Sequence, residues 1–247
     1  IDNKSLTHRP DLWSHFGFAR EISAILQKPR KLDADRFADD DEQGARMLAA
    51  LGSGKSDFSI SIAPGCGCRR FAALELTNLK TVTSPLWMRR RLFAVGAGVR
   101  NLIVDLSNYV MHDIGQPNHT YDANKLHGFV VYVRLAREGE QFLGLDNETR
   151  TLAAEDIVIA DQEGSVALGG VIGGGPSAVS ESTSRLLLES ANFDPVRIRA
   201  TTKRHALRTD ASNRFEKSAS PYAVPLAVHR YTSLLSGIFP EARFFIF

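Results

Sequence analysis

Asn108 and His119 are the residues of this chain whose types and spacing first suggest chemistry. They lie in residues 105–122, DLSNYVMHDIGQPNHTYD, which crowd hydroxyls, amides, imidazoles and carboxylates around Leu106, Val110, Met111 and Ile114. An imidazole among amides can orient a water or a carbonyl, and an ordinary core strand has no use for so many hydrogen-bonding groups. Gly115-Gln116-Pro117-Asn118 reads as a turn, so the side chains flanking it could face one pocket. A surface loop that caps its own backbone with Ser and Asn side chains fits the same run, and the run alone leaves both readings open.

Other candidates stand elsewhere. Glu189 ends the apolar run Leu186-Leu187-Leu188, and strand alternation puts Leu187 and Glu189 on one face. A carboxylate among leucines is costly to bury without a hydrogen-bond donor, so Glu189 either sits in water at a strand end or reads a donor on a ligand. Gly173-Gly174-Gly175-Pro176-Ser177-Ala178 formally satisfies the dinucleotide pattern G-x-G-x-x-A. The context contradicts it, because residues 180–189 read as a strand where a phosphate-facing helix is required. The glycines of 169–175 read instead as close approach of backbone to a neighbouring strand or a flat ligand. Thr209-Asp210-Ala211-Ser212 either caps a turn or lines a site. Arg197, Arg199, Lys203, Arg204 and Arg208, with Arg89-Arg90-Arg91, suit phosphates or a solvated helix face equally. No G-x-S-x-G elbow, H-E-x-x-H or Cys–His pairing is present, so catalysis would use a held water rather than a covalent intermediate. Cys66 and Cys68, the only cysteines, are too close for an unstrained bridge and too few for a zinc site; reduced thiols are expected.

These residues need elements to position them. The chain has 247 residues, 43% hydrophobic and 23% charged, with a formal net charge of +2, which describes a globular protein with a sizeable core and no general affinity for nucleic acid. No apolar run approaches the roughly 20 residues that span a bilayer. The chain starts at Ile1 with no visible signal peptide and reads as an excised fragment. Residues 11–26 carry a helical apolar period. Residues 33–57 are acidic, then Gly/Ser-rich, and read as a linker. Residues from about 58 form one mixed unit. Within it, Ser84 is expected to cap a helix begun by Pro85 and ended by Gly96, Asp194-Pro195 to open a second, and Pro221 a third running to Leu235. Residues 129–135, 157–160, 166–172 and 185–189 read as strands. Their irregular alternation with helices argues for an α+β fold over a doubly wound sheet.

The order of VDLSNYV (104–110), GQPNHTYD (115–122), ALGGVIGG (167–174), LLLESANFDPVRIR (186–199) and RHALRTDASNRFEK (204–217) resembles the beta subunit of bacterial-type phenylalanyl-tRNA synthetase. THRPDLWSHFGFAREISAI (7–25) resembles the approach to that subunit's central editing region. The resemblance implies a three-layer α+β editing fold containing a β-sandwich of unusual topology. Its divisions are a helix-containing segment over 1–32, the linker over 33–57 and the editing domain over 58–247. It implies hydrolysis of tyrosine wrongly attached to phenylalanine tRNA, with His119 and Asn108 orienting ester or water and Glu189 accepting the tyrosine phenol. Ser107, Gly173, Thr209 and Ala211 would line the substrate pocket, and Arg100 would meet the tRNA 3′ end. The fragment would hold no metal or cofactor; ATP and Mg²⁺ would serve the full enzyme, a cytoplasmic heterotetramer with the alpha subunit that binds neither membrane nor DNA. A non-catalytic tRNA-positioning module and a free-standing deacylase are the alternatives. The chain departs from the resemblance at HTYD, where HAFD is commoner, at Ala206 in place of Gly, and at Ser218-Ala219-Ser220 in place of a Gly-containing turn.

Overall fold

Leu186–Phe193 is buried at every position, and its alternate side chains enter two different cores. The computed structural model that reveals this describes residues 4–29 and 54–245; the expected linker lies outside the described residues up to position 53. In chain order the elements are α1 (His15–Leu26), β1 (Ser59–Ile62), β2 (Cys68–Thr77), α2 (Leu86–Ala94), α3 (Leu102–Ile114) and β3 (Asn118–Asp122). They continue with β4 (Val130–Leu135), β5 (Gln141–Leu143), β6 (Thr149–Thr151), β7 (Ile157–Ala160), β8 (Ser165–Leu168) and β9 (Ile172–Gly173). Last come β10 (Leu186–Phe193), α4 (Pro195–Arg204), α5 (Asp210–Phe215), α6 (Ala223–Ile238) and β11 (Arg243–Phe245).

The order β11-β2-β10-β3 forms an antiparallel sheet in the middle of the molecule. Leu186 and Leu188 on one face of β10, with Leu74 and Leu76 of β2, pack against Met88, Leu106, Val110, Val228 and Tyr231 of the helices. Leu187, Ala191 and Phe193 on the other face pack against Val133, Ile157, Ile159 and Leu168 of the second sheet, ordered β1-β4-β7-β8-β9. Helices, middle sheet and outer sheet make three layers, the two sheets forming the expected sandwich. The β1–β4 pair is parallel and the rest of the outer sheet antiparallel. No described helix is long and apolar enough to cross a membrane.

Residues 105–114, expected as part of a polar turn, continue a helix. Leu102, Leu106, Val110 and Ile114 recur every four residues and are buried, Asn101 accepts the Val104 amide at 3.1 Å as N-cap, and Gly115 ends it. Asp105 is buried and accepts from the Ser84 hydroxyl at 2.5 Å and the Arg100 amide at 2.8 Å. That bond takes Ser84 away from its expected capping role; Pro85 stands at the N-cap with no side-chain cap, and α2 ends at Ala94. The strand expected over 166–172 breaks after Leu168, because Leu168–Val171 forms a tight turn with Gly170 at φ +72° and Val171 N–H on the Leu168 carbonyl at 3.0 Å. β10 runs four residues past its expected end at Glu189, and β2 was not anticipated.

Asp156 ties α4 to the β6–β7 connection. Its buried carboxylate receives Thr201 Oγ1 and His205 Nε2, both at 2.7 Å, the Ala153 amide at 3.0 Å and the Arg204 guanidinium. Burial pushes the Asp156 carboxyl up, but these donors, His205 foremost, outweigh it and hold it below the usual range.

Just past α4, Ala206 has φ +48°, and Ser218 has φ +64°, both in the left-handed region. A Cβ there costs roughly 1–2 kcal/mol, part of which glycine gives back through its freer unfolded chain. Ala206→Gly is expected to stabilise the protein by roughly 0.5–1 kcal/mol, read as a rise of about 2 °C in thermal unfolding.

Candidate functional site

The antiparallel register of β3 on β10 sets His119 opposite Glu189 and Tyr121 opposite Leu187. All four side chains therefore share the face that looks toward the outer sheet. A cavity of about 70 Å³ opens there, lined by His119, Tyr121 and Glu189, the Leu168–Val171 turn, Gly173, and Ala211 and Phe215 of α5. Cavities of about 320 and 680 Å³ lie elsewhere, but His119 and Glu189, both buried and both pushed toward the neutral form, are in the small one.

Glu189 is 6% exposed, and its Oε2 accepts a hydrogen bond from the Tyr121 hydroxyl. Burial pushes the Glu189 carboxyl up to about 7, with the Tyr121 bond working against the rise. The Tyr121 phenol is held well above its usual range, first by burial and then by the neighbouring carboxylate. Burial lowers His119 to about 4, so its ring is neutral at pH 7. Its Nε2 is shut from solvent and has no hydrogen-bond partner among the described residues. The ring stands edge-on to Tyr121, centroids 4.6 Å apart and planes at 83°.

Gly173 leaves room for that ring. A Cβ built there would lie 2.3 Å from His119 Cε1 and 2.4 Å from Nε2, so no other residue fits while His119 holds this place. The Leu168–Val171 turn is fastened from α5. Thr209 forms a reciprocal cap with Ser212, and its hydroxyl donates to the Val171 carbonyl at 2.8 Å. Phe215 packs edge-on against Phe193 with centroids 5.3 Å apart, seating the helix that carries Ala211.

Of the residues singled out from sequence, the cavity thus gathers His119, Glu189, Gly173 and Ala211, with Thr209 acting behind its wall. Ser107 and Asn108 are carried by α3 and do not line it. Ser107 is linked to it by Asn118, which does line it and donates from Nδ2 to the Ser107 carbonyl at 3.3 Å. The Ser107 hydroxyl is buried with no partner among the described residues. Arg100 is exposed and lies outside the cavity. Asp105 and Asp122 hold structure: Asp122 receives Thr183 Oγ1 at 2.7 Å and the Asn124 amide at 3.1 Å. The residue that sequence reasoning left without a partner is Tyr121; its signal was the hydroxyl in HTYD, two residues from His119. Among the described residues no group of His, Cys, Asp and Glu side chains is arranged to hold a metal ion.

The raised Glu189 carboxyl makes stability depend on pH. Between the ordinary value of 4.5 and about 7 the folded state binds the extra proton, so stability falls as pH rises through that window and levels above it. Glu189→Gln, which keeps an acceptor for Tyr121, removes this loss. Urea unfolding should find the variant level with wild type near the acid end. It should be more stable by on the order of 2–3 kcal/mol above neutrality.

The B3/4 domain family matches residues 67–240 of this chain. The phenylalanine–tRNA ligase beta subunit of Solibacter usitatus is 43% identical over 243 residues, 98% of this chain and 30% of that protein. The corresponding subunit of Anaeromyxobacter dehalogenans is 37% identical over 231 residues, 94% of this chain and 28% of that protein. An N-terminal fragment of the phenylalanyl-tRNA synthetase beta subunit from Pyrococcus horikoshii aligns with a TM-score of 0.44 at 15% identity, covering 83% of this chain and 59% of that one. The chain spans less than a third of the length of the two bacterial relatives. Matched by the family over most of its length, it belongs to the B3/4 domain family and is similar to a segment of phenylalanine–tRNA ligase beta subunits.

Proposed function

We propose that this chain is the proofreading part of a phenylalanine–tRNA ligase beta subunit and hydrolyses tyrosine wrongly attached to phenylalanine tRNA. One observation carries the reading: the buried Glu189 carboxylate already accepts a hydrogen bond from a phenol, that of Tyr121. The other oxygen of the same carboxylate suits the phenol of a tyrosyl ester and receives nothing from a phenylalanyl one. A synthetic site for phenylalanine excludes an added hydroxyl by only about a hundredfold, whereas a site that must hydrogen-bond the hydroxyl discriminates by about 10⁴–10⁵.

The chemistry is attack of a water oxygen on the ester carbonyl carbon, breaking the acyl–oxygen bond. The ribose oxygen of the terminal adenosine leaves and takes the proton, giving free tyrosine and uncharged tRNA. A base of pKa about 4 takes up little proton at neutrality, so His119 orients the water or the ester through its free Nε2. Gly173 allows the ring that position, Ser107 is tied to the cavity through its carbonyl and Asn118, and Asn108 is assigned to orienting the ester or water from the neighbouring position of α3. The Leu168–Val171 turn and α5 wall the cavity that would receive the substrate side chain. Arg100 is assigned to the tRNA 3′ end. In this reading the full enzyme is cytoplasmic, pairs with an alpha subunit, and uses ATP and Mg²⁺ at its aminoacylating site. The small volume of the cavity also favours a second reading, a tRNA-positioning module without hydrolysis.

Deacylation of Tyr-tRNA and Phe-tRNA by the full enzyme decides between them. Glu189→Ala is expected to lower the preference for the tyrosyl ester by about a hundredfold or more. Undiminished preference sinks the role of Glu189, and absence of deacylation by wild type favours the positioning module. Gly173→Ala, which displaces His119, should slow both esters together by about tenfold or more and leave their ratio unchanged.

A further inference from the structure

Tyr121 lines the cavity without a part in the reaction above, yet it is the residue bonded to Glu189. It is fully buried, packed in the same core as Leu187, Ala191 and Phe193, and it rises from the middle of a paired strand. The sandwich holds its ring in place, and its hydroxyl occupies Oε2 of Glu189. Among the described residues the Tyr121 hydroxyl is the one side-chain donor bonded to the Glu189 carboxylate, and that bond is to Oε2.

We propose that Tyr121 is a positioning residue: by donating its phenol to Oε2 it fixes the plane of the Glu189 carboxylate and leaves Oε1 as the single acceptor for an incoming hydroxyl. The proposal rests on the reading that Glu189 receives the substrate phenol. A carboxylate free to rotate in a small cavity offers an incoming donor many orientations; one pinned at a single oxygen offers one. The pin also acts on charge. Burial disfavours the ionised carboxyl, and the Tyr121 bond is the interaction that opposes this. The other titratable groups facing Glu189 do not supply a compensating cation. His119 opposite it on β3 is neutral, and the Cys68 thiol on β2 is pushed up to about 12, chiefly by burial, and is uncharged. The cavity walls from the Leu168–Val171 turn and α5 present Gly170, Val171, Ala211 and Phe215. Tyr121 is thus the donor that favours the ionised carboxyl against burial, and it stands where the resembling family more often has a phenylalanine.

The test is Tyr121→Phe in the full enzyme, with kcat/KM for the tyrosyl and phenylalanyl esters measured from about pH 6 to about pH 9. The expected result is loss of about tenfold of the tyrosine preference near neutrality, recovered toward the alkaline end because the Glu189 midpoint moves up by about one unit. Phenylalanyl hydrolysis should fall by less than tyrosyl hydrolysis. Equal loss on both esters with an unmoved midpoint means a merely structural role and overturns the proposal. A gain in tyrosine preference also overturns it, since Tyr121 would then be competing for Glu189. A second measurement separates this from failure of the functional reading. Infrared titration of the Glu189 carboxyl, assigned by difference against Glu189→Gln, should give a higher midpoint in Tyr121→Phe than in wild type. If wild type shows no tyrosine preference but the midpoint moves, the functional reading fails and the pin stands; an unmoved midpoint overturns the pin itself.

Discussion

A strand buried on both faces has to satisfy two cores at once, and β10 does so with one sequence. Leu186, Leu187 and Leu188 are fully buried, each worth about 2 kcal/mol in apolar area removed from water, and they serve opposite layers in turn. The next residue, Glu189, continues the alternation with a carboxylate on the sandwich side. Any other placement of β10 would expose leucines or turn Glu189 toward the helices. The position of the site therefore follows from the constraint that builds the fold.

That carboxylate is unfavourable where it stands, and the surrounding residues limit the cost without cancelling it. Tyr121 supplies one donor and burial still leaves the group far above its ordinary range. Partly satisfied buried polar groups destabilise a fold, and they persist where the destabilised group has work to do. His119 is in a similar condition, neutral with an unpartnered Nε2 held against Gly173. The remaining buried carboxylates contrast with this pair. Asp156 has Thr201, His205, Arg204 and the Ala153 amide, while Asp105 and Asp122 each have two close donors. Those three carboxylates hold elements together; Glu189, with one side-chain donor, lines the cavity.

Much of this was legible in the residues. Asp194 followed by Pro195 opened α4 as expected, its side chain accepting the Val196 and Arg197 amides at 3.0 and 3.1 Å. Ile157–Ala160 is a strand with the expected bounds, because a β-branched run buried on both faces leaves no ambiguity of period. The G-x-G-x-x-A match was rejected on context, and Gly174 N–H does pair with the Val166 carbonyl at 2.8 Å beside a strand, with no helix following. The helical period through Leu102, Leu106, Val110 and Ile114 was equally present but was hidden by reading the run from Asp105. Ser84 shows a different limit: its capping signal was real, and a buried aspartate distant in sequence had the stronger claim on the hydroxyl.

By itself the sequence determined the faces. Alternation put Glu189 with Leu187, and the leucines fixed that strand in the interior, because side-chain direction along a strand depends only on the parity of position. It also determined the chemical inventory: no covalent nucleophile in a recognisable setting, an imidazole in a polar run, a glycine segment meant for close approach. Tertiary structure alone decided who meets whom. Tyr121 and Glu189 are 68 residues apart, and only the register of β3 on β10 brings phenol to carboxylate. The same register, with the Leu168–Val171 turn folded over it, sets His119 against Gly173. Period reveals a face but never a partner, since pairing register arises from the packing of the whole sheet between its two cores.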